Sequence, residues 1–332
     1  MSDNVSDEKQ QQQMQEISIC ADVWLGVFAF LCPHKLGLKM ALISDRLDVL
    51  VDEHFKVKEW SLSWLLIFRA TDGNGAQIVN KHSGERQPIP QGPLPNKVIG
   101  FKQIKISYVD QTVIEFLQSI RRLFDSSGIS VWIGTSCYES RSWEIIWQKI
   151  WPLINDNIYS FVLADDQLDR LRQFSRTVLR RCANLRSINF LGLSLEFPAE
   201  DNAGVSSGQA VAKWLLTPRW DGLPKMLRCV FSSTGMDGLT GSFINASEPV
   251  NFIISIWNDW DYRLVPFELK NNWTAERLTF RLIRGYWLLV RCPIGREEDK
   301  WAKWETEAIE WEWSRQRNFI AITFNDRDIG DG

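Results

Sequence analysis

The sequence predicts a protein of mixed α and β structure, with a small helical module at the N-terminus, an α/β repeat-like region and a β-rich C-terminal region. Three observations support this prediction. Apolar residues recur at helical spacing in three short segments before residue 56. Short apolar runs then alternate with amphipathic helical patterns over residues 101–260. From residue 261 onward, strand patterns predominate.

Composition excludes several classes of protein. The chain has 332 residues, 45% of them hydrophobic, which is enough for a sizeable core and two or three domains. Its net charge of −3 gives no reason to expect nucleic acid or an anionic membrane as a partner. No stretch approaches the roughly 18 apolar residues of a membrane span. Acidic residues precede the first apolar run, unlike a signal peptide, so we expect a cytoplasmic or nuclear protein.

The reactive side chains are few and scattered. Six cysteines lie far apart without a C-x-x-C pair, so no zinc or redox motif is visible. The histidines His34, His54 and His82 all lie in the first quarter of the chain. The remainder therefore has no imidazole for acid/base chemistry or metal binding. We expect no cofactor and no metal.

The N-terminal module follows a polar tail, residues 1–16, that we expect to be disordered. Helical patterns cover residues 21–31, 35–44 and 46–55. The first, within ICADVWLGVFAFL, is apolar almost all the way round, whereas a surface helix shows one stripe about 100° wide. Either the rest of the chain or a partner protein must therefore cover the additional faces.

The same segment resembles the F-box. ICADVWLGVFAFL, then Leu36, then ALISDRL and Leu50, follow the spacing of the usual L-P-x-E-L-L-x-x-I-F-x-F-L form and its V-S-x-R-W/F block. Cys20 stands where the motif has proline, and Leu47 where an aromatic is common. The resemblance implies that residues 17–58 are a three-helix F-box that binds a Skp-type adaptor. The implied contact residues are Ile19, Cys20, Val23, Leu25, Val27, Phe28, Leu31 and Leu36. The alternative is a helical subdomain packed on its own chain.

Residues 59–100 are predicted to be a linker that contains one strand. Residues 60–68 read as this strand, TDGNG as a turn, and PIPQGPLP as an extended segment. Such a linker would hold two modules at a fixed offset.

Residues 101–260 alternate strands with helices at a period of about 25 to 30 residues, which is typical of a leucine-rich-repeat-like solenoid. A doubly wound α/β domain is the alternative, although the region has no glycine-rich nucleotide loop. The predicted strands are residues 104–108, 129–133, 158–163, 185–191, 226–231 and 252–257. The predicted helices are residues 113–124, 142–154, 167–181 and 207–216.

Residues 261–332 are predicted to be β-rich, with a hairpin turn at Arg284-Gly285 and one helix. Blocks such as WLLVRCPIGREE and KWAKWE resemble the region that follows the F-box in a large family expanded in plant-parasitic nematodes. The predicted strands are residues 265–271, 276–283, 286–294 and 318–324, and the predicted helix is residues 297–313.

The candidate catalytic groups are carboxylates at strand ends, Asp165 with Asp166 and Asp259 with Asp261, where turn and cap roles are commoner. The arginine-rich helix of residues 167–181 predicts a solvated face or an acidic contact surface. The resemblance implies a non-catalytic substrate receptor of an SCF-type ubiquitin ligase, joined through a Skp-type adaptor to cullin and RING subunits and holding a target protein. The alternatives are an interaction scaffold that does not recruit the ligase, and a carboxylate-based enzyme.

Overall fold

Thirteen strands form one mixed, mostly parallel sheet that is the framework of the molecule. The computed structural model describes residues 19–330 except 29, 32–34, 55–59, 82–83, 93, 95, 97, 126–127, 193, 231, 258–263 and 312–316. The predicted tail, residues 1–16, therefore lies outside the described residues. The strands are β1 Trp60–Arg69, β2 Ala76–Asn80, β3 Arg86–Pro88, β4 Val98–Ile106, β5 Ile129–Ile133, β6 Ile158–Ala164, β7 Ser187–Leu191, β8 Lys225–Val230, β9 Phe252–Trp257, β10 Phe267–Asn271, β11 Glu276–Ile283, β12 Tyr286–Pro293 and β13 Phe319–Ile322.

The strand order is β10-β11-β12-β9-β8-β7-β6-β5-β13-β4-β1-β2-β3. Strands β5 to β9 lie side by side in chain order, and each is parallel to the next. The C-terminal strand β13 lies between β4 and β5 and is parallel to both. Antiparallel hairpins close the sheet at each end. The predicted linker and the predicted C-terminal region thus contribute strands to the same sheet as residues 101–260.

Two of the helices precede β1, and the others follow or connect strands of the sheet. A π-helical turn at Leu36–Met40 precedes α2, and a second at Ile146–Ile150 joins α5 to α6. Side-chain oxygens of Asp110, Ser206 and Ser232 cap α3, α9 and α10 by accepting backbone N–H groups. The helices are α1 Ala21–Phe28, α2 Asp45–His54, α3 Gln111–Ser119, α4 Arg122–Asp125, α5 Ser140–Ile145, α6 Trp151–Ile154, α7 Asp165–Phe174, α8 Val178–Arg181, α9 Ser207–Leu215, α10 Ser233–Ile244 and α11 Glu298–Glu310.

The two faces of the sheet are covered differently. On one face, inward residues of consecutive strands join the connecting helices in a single main core, for example Val131, Phe161 and Ile188, each at most 1% exposed. On the other face, α11 packs over β8, β9 and β12, where Trp301 and Ile309 meet buried strand residues. Within the described residues, no helix is both long enough and apolar enough to cross a membrane.

Helix α10 is absent from the sequence prediction, because glycines interrupt its apolar pattern and lower its helix propensity. The fold requires some of these glycines. A Cβ at Gly238 would lie 2.4 Å from ring carbons of Phe197, and a Cβ at Gly235 would lie 2.6 Å from the carbonyl oxygen of Leu195. The helix therefore approaches the segment after β7 more closely than other residue types would allow.

Candidate protein-docking face on the N-terminal helices

One side of α1 is covered by the protein itself. Phe28 is fully buried and meets the His54 ring of α2 edge-on, with ring centroids 5.8 Å apart. Trp24 lies one turn earlier, with its ring centroid 6.0 Å from that of Phe28. Phe28 and Leu36 belong to the same buried cluster as Leu62 of β1. The inner side of the helical module is therefore continuous with the main core.

The opposite side of α1 carries an apolar stripe that the described residues leave uncovered. Ile19, Val23, Val27 and Phe30 are 38%, 54%, 42% and 91% exposed. Val23 and Val27 lie about 40° apart on α1, Ile19 precedes the helix and Phe30 follows it. We call these four residues the outer stripe. Exposed apolar surface of this kind is a candidate site of interaction.

The structure divides the eight predicted adaptor contacts into two groups. Ile19, Cys20, Val23 and Val27 are exposed on or beside the outer stripe. The other four face the main core: Leu25 and Leu31 are partly buried, and Phe28 and Leu36 are fully buried. The second group can position the helices but presents little or no surface to a partner.

Phe30 is the most exposed member of the outer stripe and is missing from the predicted contacts. It lies seven residues after Val23 and three after Val27, so the helical spacing could have identified it. Its backbone N–H donates to the Val27 carbonyl, 3.1 Å away, which continues the helical turn beyond the end of α1.

Ion pairs and hydrogen bonds hold the helical module in place. Arg46 Nη2 donates to the carbonyl of Ile19 at 2.6 Å, which links α2 to the segment before α1. Lys39 and Lys35 both pair with Glu85, next to β3. The hydrogen bond from Lys39 is the largest of the effects that lower the pKa of the Glu85 carboxyl. The helical module that carries the outer stripe is therefore anchored next to β3.

The extended segment that follows β3 packs under the module. Arg122 of α4 donates to the carbonyls of Val98 at 2.7 Å and Leu94 at 3.2 Å. Gly92 approaches Leu42 so closely that a Cβ at this position would lie 3.4 Å from its Cδ2. The predicted linker is thus fixed along its described part by side chains from both sides.

The strand-end carboxylates Asp165 and Asp166 lie at a different place, where β6 leads into α7. Burial and the nearby carboxylates of Asp169 and Glu196 raise the pKa of Asp165 to about 6. Asp166 Oδ1 accepts the backbone N–H of Gln167 at 3.0 Å, a local role at the start of a helix. Asp259 and Asp261 lie outside the described residues.

The nearest thiol gives no sign of a nucleophile beside these carboxylates. Desolvation, and after it hydrogen bonding to Asp166, raises the pKa of Cys137. A raised pKa works against the thiolate form that nucleophilic attack requires. In the part of the chain that the structure describes, no three His, Cys, Asp or Glu side chains are grouped to hold a metal ion.

The arginines of the predicted helix at residues 167–181 are divided between internal contacts and the surface. Arg172 is 8% exposed and donates to the carbonyl of Val205 at 2.8 Å. Arg180 pairs with Asp201 at 2.5 Å. These two contacts bind α7 and α8 to the loop before α9, whereas Arg176 and Arg181 are exposed, as expected of a solvated face.

Comparison with known proteins gives no match, whether with a family model, a curated protein or a solved structure. The outer stripe must therefore be interpreted from its own chemistry and from the F-box-like sequence that forms it.

Proposed function

We propose that the chain is the substrate-recognition subunit of an SCF-type ubiquitin ligase. Residues 17–58 act as the F-box, and the outer stripe binds a Skp-type adaptor that brings the cullin and RING subunits. The observation that carries this proposal is the outer stripe itself. It coincides with the segment whose sequence resembles the adaptor-binding helix.

The energetics of the stripe favour a protein partner. Burying a large aliphatic or aromatic side chain completely stabilises a complex by about 1.5–3 kcal/mol relative to leaving it in water. The four stripe residues are between 38% and 91% exposed, so much of this free energy is still available. Because Phe28 and Leu36 hold the helices from within, the stripe is preformed and loses little conformational entropy on binding.

The remainder of the chain holds the target in this proposal. Consecutive parallel strands β5 to β9 in chain order support a leucine-rich-repeat-like reading of residues 101–260. A doubly wound sheet would reverse the strand order at a switch point, and no reversal occurs between β5 and β9. The protein's role is positioning, because holding a target near a charged conjugating enzyme raises the effective concentration of its lysines.

The test is binding of the full chain to a purified Skp-type adaptor, measured by size-exclusion chromatography with light scattering and by titration calorimetry. We expect a 1:1 complex. Val23→Asp with Val27→Asp should weaken binding at least 100-fold, because an unpaired charge in a dry contact costs several kcal/mol. Phe28→Asp is unsuitable as a test of binding, because Phe28 is fully buried and its replacement would destabilise the fold.

Val265→Asp is the matched control, since Val265 is 72% exposed and lies before β10, outside the helical module. It should bind the adaptor like the parent. Equal binding by the stripe variant and the parent would show that the adaptor does not use this face. Cys20→Pro restores the residue usual in the motif and should leave affinity unchanged or increase it.

Cys20, exposed at the start of α1, is also the observation that favours a second function. In that case the module is an F-box-derived scaffold that no longer recruits a ligase. A chain that remains a soluble monomer in the presence of the adaptor, with and without Cys20→Pro, would favour the scaffold.

A further inference from the structure

The sheet has a second exposed surface, on the face of β1 to β4 that points away from the main core. Strand register places Arg86 of β3 opposite Val79 of β2, Val79 opposite Leu66 of β1, and Leu66 opposite Lys105 of β4. Residues that are paired across neighbouring strands point to the same side of a sheet. Arg86 and Lys105 therefore flank the apolar pair of Val79 and Leu66.

Alternate residues of β1 extend this surface along the strand. Leu65 and Ile67 are fully buried in the main core, so Trp64, Leu66 and Phe68 point to the opposite side. All three are only partly buried, and none of them packs against the buried clusters that the structure describes. An apolar stripe on this face is thus accessible to a partner.

Two more lysines lie beside the ring of Trp64. Lys81 Nζ lies 3.9 Å and Lys102 Nζ 5.6 Å from the centroid of its ring. Both lysines are exposed. Cations that stack on an aromatic face remain able to pair with an anion from a partner. We call the surface formed by these cations and the stripe the cationic sheet face; it comprises Trp64, Leu66, Phe68, Lys81, Arg86, Lys102 and Lys105.

In the part of the chain that the structure describes, no carboxylate is paired with this surface. Strands β1 to β4 contain neither aspartate nor glutamate, although the chain as a whole has 41 acidic and 38 basic residues. Among the described residues, no ion pair joins a carboxylate to any of the four cations of the face. Neighbouring Glu85 pairs instead with Lys35 and Lys39 of the helical module.

We infer that the cationic sheet face binds target proteins through acidic segments in which carboxylates alternate with apolar side chains. This inference rests on the proposed function, which requires a surface for a target. An extended segment presents alternate side chains to one face, and the cations beside the apolar stripe complement its carboxylates in charge.

The extent of the surface favours a protein segment over nucleic acid. Four neighbouring strands about 4.8 Å apart span about 15 Å. Proteins that bind DNA through its backbone make about 6–10 phosphate contacts, which is more than this face can provide. The apolar stripe between the cations also suits leucine or phenylalanine side chains better than phosphates.

The test is fluorescence polarisation with the full chain and a labelled peptide in which glutamate alternates with leucine and phenylalanine. We expect saturable binding that weakens as salt is added, and no binding of the same peptide with glutamine in place of glutamate. The variant Lys81→Gln, Arg86→Gln, Lys102→Gln and Lys105→Gln should bind at least tenfold more weakly.

The control variant removes the same charge elsewhere, through Arg121→Gln, Lys149→Gln, Arg176→Gln and Lys303→Gln, all at exposed positions. It should bind within about twofold of the parent, because charges beyond a Debye length of about 8 Å contribute little. An equal loss in both variants, or no binding by the parent, would overturn the inference. So would tighter binding of single-stranded DNA or anionic vesicles that the same four face substitutions abolish.

Adaptor binding by the same samples separates the two proposals. If the face variant loses the peptide but still binds the adaptor, the two surfaces are independent and both proposals stand. Failure of peptide binding with intact adaptor binding overturns only the acidic-target inference. Loss of adaptor binding by the parent, with the peptide still bound at the cationic sheet face, overturns only the ligase function.

Discussion

The C-terminal strand β13 should be indispensable to the sheet, although it is only four residues long. It is inserted between β4 and β5 and pairs with both along its whole length. A chain that ends after Asn318 lacks this strand and the buried Phe324 that follows it. We expect this truncated chain to lose its cooperative unfolding transition.

The magnitude follows from burial. Phe319, Ile320, Ile322 and Phe324 are each at most 2% exposed. At about 1.5–3 kcal/mol for each buried side chain, their removal costs about 6–12 kcal/mol. This is comparable to the whole stability of a folded protein, about 5–15 kcal/mol. The pairing partners β4 and β5 would in addition be left with unsatisfied backbone groups.

The assay is thermal unfolding followed by near-UV circular dichroism. Ile320→Ala is a graded version of the truncation and should cost about 2–5 kcal/mol. With an unfolding entropy of about 2.1 cal/mol/K per residue, this lowers Tm by about 3–7 °C. Ile244→Ala is the matched control. Because Ile244 is 62% exposed, the Tm of this variant should barely differ from that of the parent. A truncated chain that keeps the parent Tm and near-UV spectrum would refute the insertion of β13.

Two further predictions concern α10 and the start of α7. Gly238→Ala should lower stability by about 1–3 kcal/mol because its Cβ would overlap the Phe197 ring. Gly241→Ala, in the same helix, should raise it by about 0.5–1 kcal/mol because nothing lies within 4 Å of the new Cβ; urea unfolding of the two variants compares them. Asp165 has a pKa of about 6, above its usual 3.8, so its ionisation opposes folding at neutral pH and not below about pH 4. Asp165→Asn should therefore raise Tm at pH 7.5 but not at pH 4, and an equal change at both pH values would contradict this reasoning.

Local patterns predicted much of the fold because they reflect burial directly. Mostly apolar runs such as ISVWI at residues 129–133 coincide with buried central strands of the sheet. Helix α10 was not predicted because Gly238 is needed for a close contact with Phe197, and a contact between distant segments leaves no local sequence pattern. The position of β13 was also unpredictable, since its partners β4 and β5 lie about 200 residues earlier and pairing over such distances leaves no periodic signal.

The candidate docking face was predictable in part for the same reason. Helical periodicity showed that α1 is apolar on more than one side, which the structure confirms. It could not decide which side the chain itself covers, because Phe28 and Val27 are neighbours with equally apolar surroundings in the sequence. The resemblance to the F-box likewise gave contact residues without separating those that support the helix from those that are exposed.

The anchoring of the helical module changes how the two proposed surfaces can work together. A flexible linker would make the effective concentration of a bound target depend on linker length. Here the predicted linker forms β1 to β3, Glu85 within it pairs with Lys35 of the module, and Val98 near its end accepts a hydrogen bond from Arg122 of α4. The outer stripe and the cationic sheet face therefore belong to one body. In the proposed ligase, a target held on this face would have an orientation set by the sheet, and this orientation would determine which of its lysines are modified.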